Sequence, residues 1–166
     1  MDVCVGRRLY DTYFRFAWRL SVLEVIIQLI GAAIGSLGFS LLFNAGKRTL
    51  LPAVVGGTLG WAFYLLFEWL GASVFVAAIA ASVFCQIYSE FLARLMKAPT
   101  TVFFIPAIVP LVPGGSLYHT MYYAATKDWS KFREYGVSTV QVAFGIAVGA
   151  SFVSALLLLL PQNKQR

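Results

Sequence analysis

Residues 100–120 read TTVFFIPAIVPLVPGGSLYHT, an apolar segment that carries Pro106, Pro110 and Pro113 and closes on Gly114-Gly115. A proline inside a helix removes one N–H and clashes with the carbonyl four residues back, at a cost of about 3 kcal/mol. The spacing i, i+4, i+7 places all three on one helical face. The carbonyls of Val102, Pro106 and Val109 thereby lose the amides that would cap them. Inside a bilayer such groups are satisfied by other partners or line a cavity. Gly114-Gly115 permits a sharp break, and Ser116 is a good N-cap for a second short helix through Leu117, Tyr118, His119, Thr120 and Met121. The segment predicts a discontinuous membrane helix. Its freed carbonyls suit an ammonium group or a cation, and the amides of the second half suit a carboxylate. Secondary transporters hold charged substrates near the bilayer midplane in this way. The plainer alternative is a proline kink that only shapes packing.

Composition supports a membrane setting. Of 166 residues, 60% are hydrophobic and 12% charged, with mean hydropathy +0.78. A soluble domain carries about 25% charged residues. The net charge of +6 is scattered over the loops, which fits membrane edges and not a nucleic-acid surface. Cys4 and Cys85 are isolated and share no ligand-like spacing with His119, so neither a disulfide nor a metal site is expected.

Working outward from the proline segment, Val25–Phe43, Leu50–Phe67 and Val74–Leu92 are apolar runs long enough to span a bilayer. Pro52 falls in the first turn of the second run, where proline is tolerated. Thr101–Ala125 is the interrupted span. TKDWSKFREYG, residues 126–136, reads as a polar connector, and Val137–Leu160 as the last span. The fold class is therefore all-α, a polytopic integral membrane protein of about five transmembrane helices, the fourth broken at a Pro/Gly cluster. Residues 1–20 place Arg8, Asp11, Arg15 and Arg19 on one helical face and Tyr10, Phe14 and Ala17 on another. That pattern suits a helix lying in the headgroup layer. The expected organisation is an interfacial segment at 1–20, one membrane domain at 21–161 and a polar tail at 162–166. Loops on the N-terminal side hold Arg7, Arg8, Arg15, Arg19, Lys127, Lys131 and Arg133. The other side holds Lys47, Arg48, Arg94, Lys97, Lys164 and Arg166. Seven against six leaves the orientation undecided.

Gly31-xxx-Gly35, Gly56-xxx-Gly60 and Gly145-xxx-Gly149 repeat one device in three spans. Small residues four apart let helix backbones approach in lipid, where burial of apolar surface supplies no drive. Polar side chains follow related faces: Glu24 and Gln28 with the first glycine pair, Ser82, Gln86, Glu90 and Arg94 in the third span, Ser138 and Gln141 with the last pair. These faces turn from lipid, as a water-lined path or as interhelical glue. Glu90 and His119 are the candidate proton carriers, although Arg94 one turn on offers Glu90 a plain ion pair. Glu68, beside Trp69, reads as interfacial. His119 is the single histidine and has no acidic neighbour within the preceding turn. An enzyme is therefore not expected, nor a cofactor.

LIGAAIGSLGFSLLFN (29–44), the GKR turn, GWAFYLL (60–66) and PTTVFFIPAIVPLVPGG (99–115) resemble the threonine/serine exporter family. The match is to its C-terminal half, a separate small subunit in many bacteria, and it covers residues 22–160. The resemblance implies export of threonine and serine driven by the proton motive force, in the bacterial cytoplasmic membrane. It also implies a larger partner subunit, in addition to the lipid bilayer. Related two-subunit members are associated with succinate, which leaves a dicarboxylate as the alternative substrate. A non-transporting assembly subunit, or one that packs on a second copy of itself, is the remaining alternative. No binding residues carry over from the family. The site expected from the backbone argument uses the carbonyls of Val102, Pro106 and Val109 for an ammonium group. Pro110 and Pro113 shape the break, and the amides of Gly114, Gly115 and Ser116 receive a carboxylate. Tyr118, His119 or Glu90 would couple the proton.

Overall fold

The computed structural model describes residues 22–159. The interfacial segment expected at 1–20 and the tail at 162–166 lie outside the described residues. Six helices follow in order: α1 Val22–Leu42, α2 Lys47–Trp69, α3 Val74–Met96, α4 Thr101–Ile108, α5 Gly114–Ala125 and α6 Trp129–Leu159. A 3₁₀ turn at Val109–Leu111 continues α4. Among the described residues there is no strand. α1, α2, α3 and α6 are each long and apolar enough to cross a membrane, and α4 and α5, bent by 51° at their junction, pass the same test only as a pair, which makes four to five candidate spans. The chain is a multi-pass membrane protein.

Helix ends follow from local chemistry. Asn44, Lys97 and Lys127 take positive φ after α1, α3 and α5, and Gly71 does so after α2. At each, an amide reaches back five residues: Ala45 to Ser40, Ala72 to Phe67, Ala98 to Ala93 and Asp128 to Tyr123. This left-handed closure satisfies carbonyls that the helix leaves open. Ser73 caps α3 by accepting the Val76 amide, and Asp128 caps α6 by accepting the amide of Lys131 at 3.2 Å. The second cap corrects the expected connector at 126–136. Only residues 126–128 connect, because Asp128 supplies an N-cap acceptor, and α6 begins eight residues before the expected Val137.

The interior is built from small side chains. Ala53, Ala77, Ala78, Ala81 and Ala107 are fully buried, with Phe103 and Cys85 among them. α2, α3 and α4 meet there, α1 lies along α2, and α6 lies along α3 and α5. An added Cβ at Gly56 would stand 2.6 Å from the Tyr88 ring, and one at Gly60 would collide with the Cys85 sulfur. At Gly145 it would stand 3.0 Å from the Ala78 Cβ, and at Gly149 it would collide with the Ser82 hydroxyl. Gly31 and Gly35 differ, since nothing lies within 4 Å of a Cβ added at either. The first glycine pair therefore makes no close helix crossing within the described residues; it borders an open cleft instead. Polar contacts reinforce the seams, with Gln86 Nε2 donating to Ser154 Oγ at 3.2 Å and Tyr88 Oη donating to the Pro52 carbonyl at 2.8 Å.

Candidate substrate site at the broken span

α4 runs straight through Pro106, and the break comes after Leu111. The Val112 amide donates to the Val109 carbonyl at 3.1 Å, closing the 3₁₀ turn. Pro113, at φ −76° and ψ 57°, forms an inverse γ-turn in which the Gly114 amide donates to the Val112 carbonyl at 2.7 Å. α5 starts at once. Pro113 is its cap residue, and Leu117 N–H returns to the Pro113 carbonyl at 3.0 Å. Two expectations change. The glycine pair lies inside the first turn of α5, and Ser116 is its third residue and not its cap. Pro113, fixed in φ, makes the corner itself. The glycines instead leave the first turn bare, with nothing within 4 Å of a Cβ at either position. The Gly114 amide is spent on the γ-turn, so Gly115 and Ser116 are the open first-turn donors.

This turn forms one wall of a cleft of about 270 Å³, just below the about 300–1,000 Å³ of ordinary ligand pockets. α2 contributes Trp61, Tyr64 and Glu68, the break contributes residues 110–113, and α5 contributes Gly114, Gly115 and Ser116. Ser138 and Val142 of α6, with Val74, complete the wall. Of the residues expected at the site, Pro110, Pro113, Gly114, Gly115 and Ser116 line this one cleft. Val102, Pro106, Val109 and Tyr118 do not. Pro106 is fully buried, and its carbonyl faces Gly57, where an added Cβ would stand 3.1 Å away. The Val109 carbonyl already accepts the Val112 amide. Tyr118 is 66% exposed. Of the three carbonyls expected to hold an ammonium group, that of Pro106 faces α2 and that of Val109 closes the 3₁₀ turn, and none of the three residues lines the cleft.

Neither expected proton carrier reaches the cleft. His119 is exposed on α5 and sits among aromatic rings, 5.0 Å from Tyr135 and 6.2 Å from Tyr123 by centroid. Glu90 has both oxygens engaged: Oε1 accepts from Arg94 Nη2 at 3.1 Å and Oε2 from Thr100 Oγ1 at 2.8 Å. The acid at the cleft is Glu68. Its Oε2 is shut from solvent and accepts no hydrogen bond from the described residues. Sequence reasoning missed it because adjacent Trp69 pointed to an interface. The available signal was the spacing Trp61, Tyr64, Glu68, which is one helical face.

A second cleft of about 240 Å³ lies on the other side of Trp61 and Pro110, bordered by Gln28, Gly31, Ala32 and Gly35 of α1. Trp61 stands between the two clefts. Its Nε1 donates to Gln28 Oε1 at 3.2 Å, and its ring stacks on Tyr64 at 5.1 Å with 15° between planes.

The family model described as "Threonine/Serine exporter, ThrE" matches residues 28–156, which contain the cleft and nearly all of the described helices. No solved structure matches the chain. With most of its length covered by that model, the chain belongs to the threonine/serine exporter family.

Proposed function

We propose that the chain is a subunit of a proton-coupled transporter that exports threonine and serine from the bacterial cytoplasm. It works in the cytoplasmic membrane with a larger subunit of the same family. The observation that carries this reading is the broken span. Its second half begins at the cleft, with first-turn amides available to a carboxylate. Family membership supplies the substrate class. The cleft bears on the alternative substrate too. Glu68 borders it, and no Lys, Arg or His does, so the second carboxylate of a dicarboxylate would find no cationic partner there. An amino acid brings its own ammonium group.

Efflux of labelled serine, threonine and succinate tests the reading, in cells that lack their own exporters. The comparison is this chain alone, the larger subunit alone, and both together. Amino-acid efflux with both, collapsing when the proton gradient is dissipated, is the expected result. Full efflux from the larger subunit alone would reduce this chain to an assembly subunit, and the proline break to a packing feature.

A further inference from the structure

We propose that Glu68 is the residue that recognises the substrate's α-ammonium group, and that a proton takes the ammonium's place there when the substrate leaves. The inference rests on the transporter reading and names the residue that would set its specificity and coupling.

Three observations converge on Glu68. First, one carboxylate oxygen is enclosed and accepts no hydrogen bond from the described residues. A buried acceptor without a donor is costly, and a cationic donor offers the strongest relief. Secondly, the surroundings supply no cation. α2 contributes Tyr64 as the one other titratable side chain. The start of α3 contributes Val74, the break contributes prolines and aliphatic residues, α5 contributes two glycines and Ser116, and α6 contributes Ser138 and Val142. Thirdly, the same cleft holds the bare first turn of α5, whose Gly115 and Ser116 amides suit an anion. A carboxylate and a helix N-terminus bordering one small cleft match an α-amino acid zwitterion. The ammonium group goes to Glu68 and the carboxylate to α5. The hydroxyls of Ser116 and Ser138 offer partners for a small hydroxylated side chain.

The exchange balances without any further reactant. With substrate bound, Glu68 is ionised and paired with the ammonium. When the amino acid departs on the outer side, a proton from that side converts the carboxylate to a carboxylic acid, which removes the uncompensated charge. The next substrate displaces that proton to the inner side. One ammonium group moves out and one proton moves in.

The test is binding of labelled L-serine to membranes containing the full-length chain with its larger subunit. L-serine and L-glycerate, which carries a hydroxyl where L-serine has its ammonium group, serve as competitors. Wild-type protein should bind serine, lose affinity as pH falls, and prefer serine to glycerate. Glu68→Gln should weaken serine at least tenfold, flatten the acid dependence and leave glycerate competition unchanged. Glu68→Asp should keep serine within tenfold of wild type and keep the acid dependence, which separates charge from folding. Unchanged serine affinity and acid dependence in Glu68→Gln would overturn the assignment and leave the transporter reading standing. Equal losses in both variants would also overturn it. Absence of saturable serine binding in wild type would remove the transporter reading itself.

Discussion

Glu68 and Glu90 are acids on adjoining helices with opposite surroundings. Glu68 sits in the last turn of α2, whereas Glu90 lies sixteen residues along α3 from Val74, roughly 24 Å of helix. Arg94 and Thr100 occupy both of its oxygens, and Arg94 is 60% exposed. Exposed pairs at i, i+4 contribute about 0.3–0.5 kcal/mol. Glu90→Gln should therefore lower the thermal midpoint of the purified protein by only a few degrees and leave serine efflux at the wild-type rate. Loss of efflux in a normally folded Glu90→Gln protein would return Glu90 to the proton path. Glycines divide as sharply. A Cβ at Gly57 would run into the Ser36 hydroxyl and approach the Pro106 carbonyl, while one at Gly31 meets open space. Gly57→Val should cost about 1–3 kcal/mol or more through overpacking and reduce monodisperse protein in size-exclusion chromatography. Gly31→Ala should leave the profile unchanged. Equal damage from both would mean that α1 carries a close contact at Gly31 as well. The repeated GxxxG pattern was plain in the sequence, yet only the fold separates crossings from open faces, since spacing encodes a face and not its neighbour.

At the scale of elements, the break in the fourth span decides what the segment can do. Proline spacing and the glycine pair placed the interruption within a few residues, because both act on the local backbone. The internal geometry was not legible. Proline and glycine both suit a break, so residue type alone did not separate the Pro113 corner from the glycine pair behind it. The same holds for α6, whose first two turns look polar in sequence but are secured by the Asp128 cap and by the Lys131 ion pair at 3.9 Å. A substitution can separate corner from lining. Gly114 borders the cleft and has free space around a Cβ, and its φ is not in the left-handed region. Gly114→Leu should fold normally while its side chain fills the cleft before the α5 amides. Serine efflux should fall at least tenfold, the equivalent of about 1.4 kcal/mol, with the detergent-solubilised protein still monodisperse. Wild-type efflux from Gly114→Leu would exclude the cleft as the substrate site.

Over the whole molecule, the helices are unequally secured. α2, α3 and α4 share the buried alanine and glycine interior, whereas no residue of α5 is buried and its principal neighbour is α6. The cleft lies between these unequal parts, with Glu68 on the secured side and Gly115 and Ser116 on the other. A zwitterion bridging them would tie the weakly packed half-span to the core. Local opening free energies are lowest where few apolar contacts are buried. Hydrogen exchange on minutes-to-hours timescales reads such opening directly. In lipid nanodiscs, amides of Tyr118–Ala125 should exchange at least about tenfold faster than those of Ala77–Ser89, a difference of about 1.4 kcal/mol in opening free energy. Saturating serine should slow exchange in the first turns of α5 and at the Glu68 end of α2, and leave α1 unaffected. Protection spread evenly over all helices would point to a rigid bundle with no separate half-span. Protection confined to α1 would place the substrate in the cleft beside Gln28, on the far side of Trp61.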